Sequence, residues 1–542
     1  MTGNTGKPSI RLVDLVPEQP MSQSSPASRA GAAAAPRTGA RMPAAATLAV
    51  ASATCSLIVL DTNVVAVSLP SIARSFHASF ADIEWVVSAY MTAFAACLLP
   101  AGGLADRFGR KRMLFTGLAL FFLASLGCGV APTAGWLIAA RAVKGGGAAL
   151  LLTAALAVIA NRFPDGRERA RAWAIWGMCM GIATAIAPLV GGAITQWIGW
   201  RWVFLLNLPA CLLLAAGARV AIDESRDPHA KRVDAAGSLL FGAALACAIA
   251  ALIGAPSHGW LSAATLGRLA LAAALFAAFI GAERWQARPM IDLALFRQPR
   301  FVGAVLAMFG YAACAQVMMT FLPLYLQNAF GMSAIDAGLG MLPFAFAMIA
   351  GPSLGAALAA RVASGGVLAG GLALIGAGNL ATAALTASGD YRLVALGMVV
   401  TGCGAGIMNG DTQKAIMACV PPNRTGMASG ISTTTRFSAI VTAVGVLGAV
   451  LAASTHARLD RLLSAAPGLR AFADASFMSS LLAGDLARAL ERVPPSAAGA
   501  LAQAAPVAFA SGFAHALTVS GVLALVAAVV AYQLLAQPMR DA

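Results

Sequence analysis

From residue 44 onward the chain alternates long apolar runs with short polar breaks, and fourteen such runs can be marked out. They lie near residues 44–69, 83–103, 112–131, 135–160, 171–194, 201–221, 235–255, 264–283, 301–327, 335–359, 364–387, 391–418, 426–453 and 510–536. Crossing a bilayer takes roughly 17–25 mostly apolar residues. In hydrocarbon only backbone that satisfies its own hydrogen bonds is stable, which selects helices. The pattern therefore predicts an all-α integral membrane protein with fourteen transmembrane helices.

Composition excludes an ordinary soluble enzyme. Of 542 residues, 59% are hydrophobic and 11% charged, with a mean hydropathy of +0.78, against about 25% charged in soluble domains. The net charge of +15 does not point to nucleic acid, because the basic residues sit in the polar breaks. They gather after helix 2 (Arg107, Arg110, Lys111, Arg112), helix 4 (Arg162, Arg167, Arg169, Arg171), helix 6 (Arg219, Arg226, Lys231, Arg232) and helix 8 (Arg284, Arg288, Arg297, Arg300). Loops after odd-numbered helices hold only isolated ones such as Arg74 and Arg268. By the positive-inside rule, this alternation expects a multi-pass membrane protein with both termini cytoplasmic and an even number of spans.

Residues 1–43, rich in Ala, Pro, Ser and Gly, read as a disordered cytoplasmic tail. Met42 stands just before the first apolar run and is an alternative start. That run exceeds the ~7–15 residues of a signal-peptide core, so it stays as helix 1. The nine cysteines lie inside apolar runs without paired spacing, so neither a disulfide framework nor a zinc site is expected. No G-x-x-x-x-G-K-[ST] loop is found, which argues against ATP as the energy source. Residues 454–509 form the one long outer segment, broken by Pro494-Pro495. Its mix of apolar and charged residues fits an amphipathic hairpin resting on the lipid interface, the other reading being an outer cap or partner surface.

Ionisable groups inside spans are expensive and are functional candidates. Asp61 precedes Pro70 by nine residues, about 13 Å below the outer end of helix 1. Arg141 lies about 9 Å into helix 4 from the same side, so the two can meet at one depth. A movable Asp61/Arg141 pair would let conformation set protonation, and a static pair would only lock helices 1 and 4. Lys144, one turn deeper, is either a counter-charge or a contact for an anionic group. Asp411 and Lys414 share one face of helix 12, and Arg436 lies at similar depth in helix 13, so an Asp411/Arg436 pair is one expectation. Gln316, Tyr325 and Gln327 in helix 9 are weaker cavity candidates, with a satisfied polar core as the alternative.

Several motifs carry a family resemblance. Gly102-Gly103-Leu104-Ala105-Asp106-Arg107-Phe108-Gly109-Arg110-Lys111-Arg112 resembles the loop between helices 2 and 3 of the major facilitator superfamily. Leu60-Asp61-Thr62 through Pro70, Trp85 to Tyr90, Arg141 to Ala149 and Trp200 to Pro209 resemble signatures of its fourteen-helix drug:proton antiporter branch. Helix 5 ends in Ala187-Pro188-Leu189-Val190-Gly191-Gly192, similar to the antiporter motif, with Ala183 and Ala187 in place of two glycines.

The resemblance implies two six-helix bundles (44–221 and 301–536) around a two-helix insert and linkers (222–300), with a short tail from 537. It implies a proton-coupled exporter of multiple drugs or small amphipathic compounds, an antiporter working by alternating access in the inner (plasma) membrane. No cofactor beyond the proton gradient, no enzymatic activity and a working monomer in the lipid bilayer go with it. Asp61 and Arg141 take proton-coupling roles; Gly102, Asp106, Arg107, Gly109, Arg110 and Lys111 form a conformational latch; Pro188, Gly191 and Gly192 form a segment that bends or seals. Lys144, Asp411, Lys414, Arg436, Gln316 and Tyr325 are candidates for the substrate pathway. The surplus of cations in the spans keeps open a proton-coupled importer of an organic anion, and the 454–509 segment a non-transporting protein that binds a partner.

Overall fold

The computed structural model describes residues 43–163, 166–226, 234–285, 293–316, 318–420, 425–464, 467–491 and 493–537. The tail before Pro43, and the basic residues Lys231, Arg232, Arg288 and Arg492, lie outside them. Among the described residues, fourteen helices are long and apolar enough to cross a membrane. We number them α1 (Ala44–Phe76), α2 (Phe80–Phe108), α3 (Arg110–Gly129), α4 (Ala134–Arg162), α5 (Gly166–Trp197), α6 (Arg201–Ala221), α7 (Ala235–His258) and α8 (Ala263–Trp285). Then follow α9 (Pro299–Phe330), α10 (Ala334–Ala359), α11 (Ser364–Leu385), α12 (Tyr391–Ala418), α13 (Thr425–Leu463) and α14 (Pro495–Leu535).

Local sequence explains where these helices start and bend. Ser79 and Asp82 form a reciprocal capping box at the start of α2, satisfying amide groups that a helix end leaves bare. Gly109, at φ +110°, makes the turn into α3, a conformation that glycine adopts without penalty. Helix α9 contains a π-helical turn at Ala312–Gln316; such turns re-aim the side chains that follow.

Successive spans alternate in direction, so α1 begins and α14 ends on one side, called here the near side. Thr47 Oγ1 there donates to the Ala221 carbonyl at the end of α6, and Arg300 at the start of α9 donates to that of Leu535 at the end of α14. Helices α1–α6 pack as one bundle and α9–α14 as a second, while α7 and α8 pair with each other and α7 lies against α2 and α13.

The bundles meet on the far side. A Cβ on Gly338 of α10 would stand 2.5 Å from the Pro188 carbonyl oxygen of α5, and one on Gly192 would stand 2.5 Å from that of Ala334. Backbone therefore lies directly on backbone across this seam. Gln327 of α9 donates to the Val67 carbonyl of α1 at 3.0 Å. Toward the near side, α5 has open space beside Gly177 and Gly181, Leu354 and Leu358 of α10 are exposed, and Lys414 of α12 is exposed.

The outer segment differs from the expected hairpin on lipid. Helix α13, with 39 residues, is about 58 Å long and runs well past the ~30 Å hydrocarbon layer; α14 likewise begins early, with Pro495 at its first turn. Between them a short helix, Ala475–Leu482, buries Phe477, Met478, Leu481 and Leu482 against the protein. Its apolar face finds the ends of other helices instead of lipid: the Leu481 carbonyl accepts from Asn328 of α9 and Ser479 Oγ from the Phe80 amide of α2. The segment is thus a far-side cap that touches both bundles.

Gly338→Ala puts a methyl group against Pro188, an overpacking that costs about 1–3 kcal/mol and falls only on the far-closed arrangement. Labelling of a cysteine placed at the buried Thr195 by an impermeant maleimide from the far side should rise about fivefold or more; unchanged labelling means that this contact is not part of the seal.

Candidate functional site

The charge cluster in the first bundle is built around Asp61. Its carboxylate accepts from Arg141 Nη1 at 3.1 Å and Asn207 Nδ2 at 2.9 Å, and it is also paired with Lys144 Nζ. The Asp61, Arg141 and Lys144 side chains are fully buried. Arg141 and Lys144 are one turn apart on α4, Asp61 is on α1 and Asn207 on α6, so one carboxylate ties three helices. Aromatic rings wall the cluster: the Arg141 guanidinium lies 4.2 Å from the Tyr90 ring centre, and the Lys144 ammonium 4.6 Å from Phe121 and 5.1 Å from Phe204. Arg141 Nε donates to the Val86 carbonyl of α2 at 3.1 Å.

Two cations on one carboxylate leave the cluster with a formal charge of +1. Protonating Asp61 would raise this to +2 in a dry interior, where unpaired charge is strongly unfavourable. Proton binding therefore has to be accompanied by movement of α1, α4 or α6, or by entry of water. Movement of α1 reaches the other bundle, because the same helix carries the Val67 carbonyl that Gln327 bonds. One turn closer, a Cβ on Gly191 of α5 would be 2.6 Å from the Val64 carbonyl oxygen.

The second cluster is assembled differently from the expected pair. Asp411 bonds Lys414 at 2.9 Å, and Arg436 bonds Gln316 Oε1 at 2.7 Å and Asn409 Oδ1 at 3.3 Å. Tyr311 completes the group, donating to Asn409 Oδ1 at 3.1 Å and accepting from Gln316 Nε2 at 3.2 Å. Asn409 precedes Asp411 by two positions, about 200° around a helix, so only one of the two faces α13. Arg436 is half-buried and has no acidic partner among the described residues. Lys144 lies with Asp61, away from this group. Tyr325 is buried and stacks on Phe513 of α14 at 4.3 Å between ring centres.

At the near-side turn, Asp106 pairs with Arg110 at 3.1 Å. Glu224, just beyond α6, accepts from the Lys111 and Arg112 amides at 3.1 and 3.2 Å, meeting the positive start of α3. Sequence reasoning missed Glu224; an acid beyond helix 6 opposite a basic turn was the available signal. Gly102 has open space around it, and Arg107 lies over the Phe108 ring.

The profile of the Major Facilitator Superfamily matches residues 51–446. Multidrug resistance protein Stp of Mycobacterium tuberculosis is 34% identical over 74% of this chain and 75% of its own. The tetracenomycin C resistance and export protein of Streptomyces glaucescens is 31% identical over 92% and 93%, and the multidrug efflux pump LfrA of Mycolicibacterium smegmatis 32% over 89% and 94%. Among solved structures, a bacterial homologue of the human lysosomal transporter Spinster, in an inward-facing and occupied conformation, superposes with a TM-score of 0.63 at 18% identity, covering 92% of this chain and 97% of that one. The chain belongs to the Major Facilitator Superfamily and, by its relatives and its fourteen spans, to the fourteen-helix drug:proton antiporter branch.

Proposed function

We propose that this protein is a proton-driven exporter of small amphipathic compounds in the inner (plasma) membrane, with the near side and both termini in the cytoplasm. The observation that carries the reading is the buried Asp61 cluster, which ties a titratable carboxylate to the helix that contacts the opposite bundle. The far-closed arrangement is then the inward-facing one, with Asp61 ionised and its proton given up to the cytoplasm. In the outward-facing arrangement a proton binds Asp61, weakens its hold on Arg141 and Lys144, and drives the return. The two six-helix bundles rock as units in a working monomer, with Asp106, Arg110 and Glu224 bracing the near-side turn of the first bundle.

Substrate meets the second bundle at Arg436, whose present partners Gln316 and Asn409 are neutral. An accepting or anionic group of the substrate can replace either of them at little loss. Lys144 belongs to proton coupling in this scheme, Asp411 and Lys414 to the cytoplasmic mouth, and Tyr325 to the packing of α9 on α14. Phe94 and Phe437 meet across the bundles at the same depth, 4.2 Å between ring centres.

Asp61→Asn strands two buried cations and should lower stability by about 3–5 kcal/mol, seen as a reduced melting temperature. Asp61→Asn combined with Lys144→Met restores the charge balance and should recover folding. In inverted vesicles this double variant should show no dye uptake driven by an acid interior, and uptake at the wild-type rate would remove Asp61 from coupling. Arg436→Gln should leave proton coupling intact but raise KM about tenfold or more for acidic substrates, the worth of one charge-assisted hydrogen bond. An equal rise for neutral and acidic compounds would mean that Arg436 only shapes the cavity.

A further inference from the structure

One acidic side chain buried between the bundles takes no part in the scheme above. Glu84 lies in the second turn of α2, is 4% exposed, and has no hydrogen bond or ion pair among the described residues; its Oε1 is buried without a partner. It faces the second bundle: a Cβ on Gly448 of α13 would collide with Oε1, and that same position is 3.5 Å from the Phe321 ring of α9. A glycine thus makes the space that the carboxyl group fills. Ser88 and Thr92, one and two turns along α2, are likewise buried with unpartnered hydroxyls, so the carboxyl group heads a polar stripe on the helix.

Charged groups on the elements packed against α2 are engaged elsewhere: on α4, Arg141 and Lys144 hold Asp61, and on α13, Arg436 bonds Gln316 and Asn409. On α7 and α8, His258 bonds the Gly254 carbonyl and Arg268 that of Ala250. Arg74 of α1 bonds Ser71 and the Gly484 carbonyl, Asp82 caps α2, and His456 of α13 meets Asp460. The short helix Ala475–Leu482, which packs on α2, contains no ionisable side chain. Among the described residues a carboxylate so enclosed has neither a bonded donor nor a paired cation to replace water, whereas a neutral carboxylic acid is tolerated.

We propose that Glu84 is a second proton-binding site, separate from Asp61, that is loaded from the far side and is occupied whenever the bundles are closed there. Opening the far side separates α2 from α13, hydrates the carboxyl group and lets it ionise; closing requires the proton back. Acid on the far side therefore favours the closed arrangement, and alkali the open one. This rests on the proton-driven exporter reading but can fail independently of it, because occupancy can be read without any substrate.

Infrared spectroscopy of the purified protein in lipid tests the occupancy. Wild type at neutral pH should show the carbonyl band of a protonated carboxyl group that is missing in Glu84→Gln and kept in the Asp61→Asn, Lys144→Met double variant. The conformational consequence is read by electron-spin distances between labels at Thr133→Cys and Ser388→Cys, on the far ends of α4 and α11, with the native cysteines replaced by alanine. Raising the pH should lengthen this distance in the otherwise wild-type protein, while adding Glu84→Gln, a near-isosteric neutral side chain, should hold it short throughout. Gly448→Ala, which takes the carboxyl group's space, should lengthen it even in acid. A full protonated-carboxyl band in Glu84→Gln, or a distance that follows pH there as in the parent, overturns the proposal. Neither result bears on vesicle efflux, where the exporter reading stands or falls.

Discussion

The fold of the first bundle depends on one carboxylate shared by two cations in a site without exposed surface. Asp61 is the joint at which α1, α4 and α6 are tied, and the aromatic walls around it make any unpaired charge there costly. A surface ion pair could be lost with little effect. In this site, a change in protonation leaves buried charge unbalanced unless water enters or one of the three tied helices moves.

Helix α1 is placed to pass such a movement on. The same 33-residue helix that carries Asp61 also packs closely on Gly191 of α5 and offers the Val67 carbonyl to Gln327 of the other bundle. Small residues at the far-side seam allow backbone-to-backbone contact without side chains between, so a shift of α1 or α5 is felt at once across the seam. The far-side cap adds a third layer, because the short helix Ala475–Leu482 holds the ends of α2 and α9 together.

Much of this was legible in the sequence. Fourteen apolar runs marked the spans because hydrocarbon thickness sets their length, and counting residues from helix ends put Asp61 and Arg141 at one depth. The pairing of Lys144 with Asp61 was half visible, since a three-residue offset keeps it on the face of Arg141. Other features depend on rotation about helix axes and on packing, which composition does not encode. Asn409 rather than Asp411 faces Arg436, because two residues turn the helix by more than half a circle. Glu84 stands near the start of an apolar run, and its burial follows from the close packing of Gly448 of α13 against it. The 454–509 segment has an amphipathic pattern that suits lipid and protein equally, and the structure decides for protein.

In the proposed cycle, proton occupancy at Asp61 is exchanged against bound substrate. Proton release on mixing purified wild-type protein with a transported dye, followed with a pH indicator at low buffer strength, tests it most directly. Release should fall by the Asp61 contribution in the Asp61→Asn, Lys144→Met variant at equal dye binding. Undiminished release from that variant would contradict it and would place the coupling carboxyl group elsewhere in the protein.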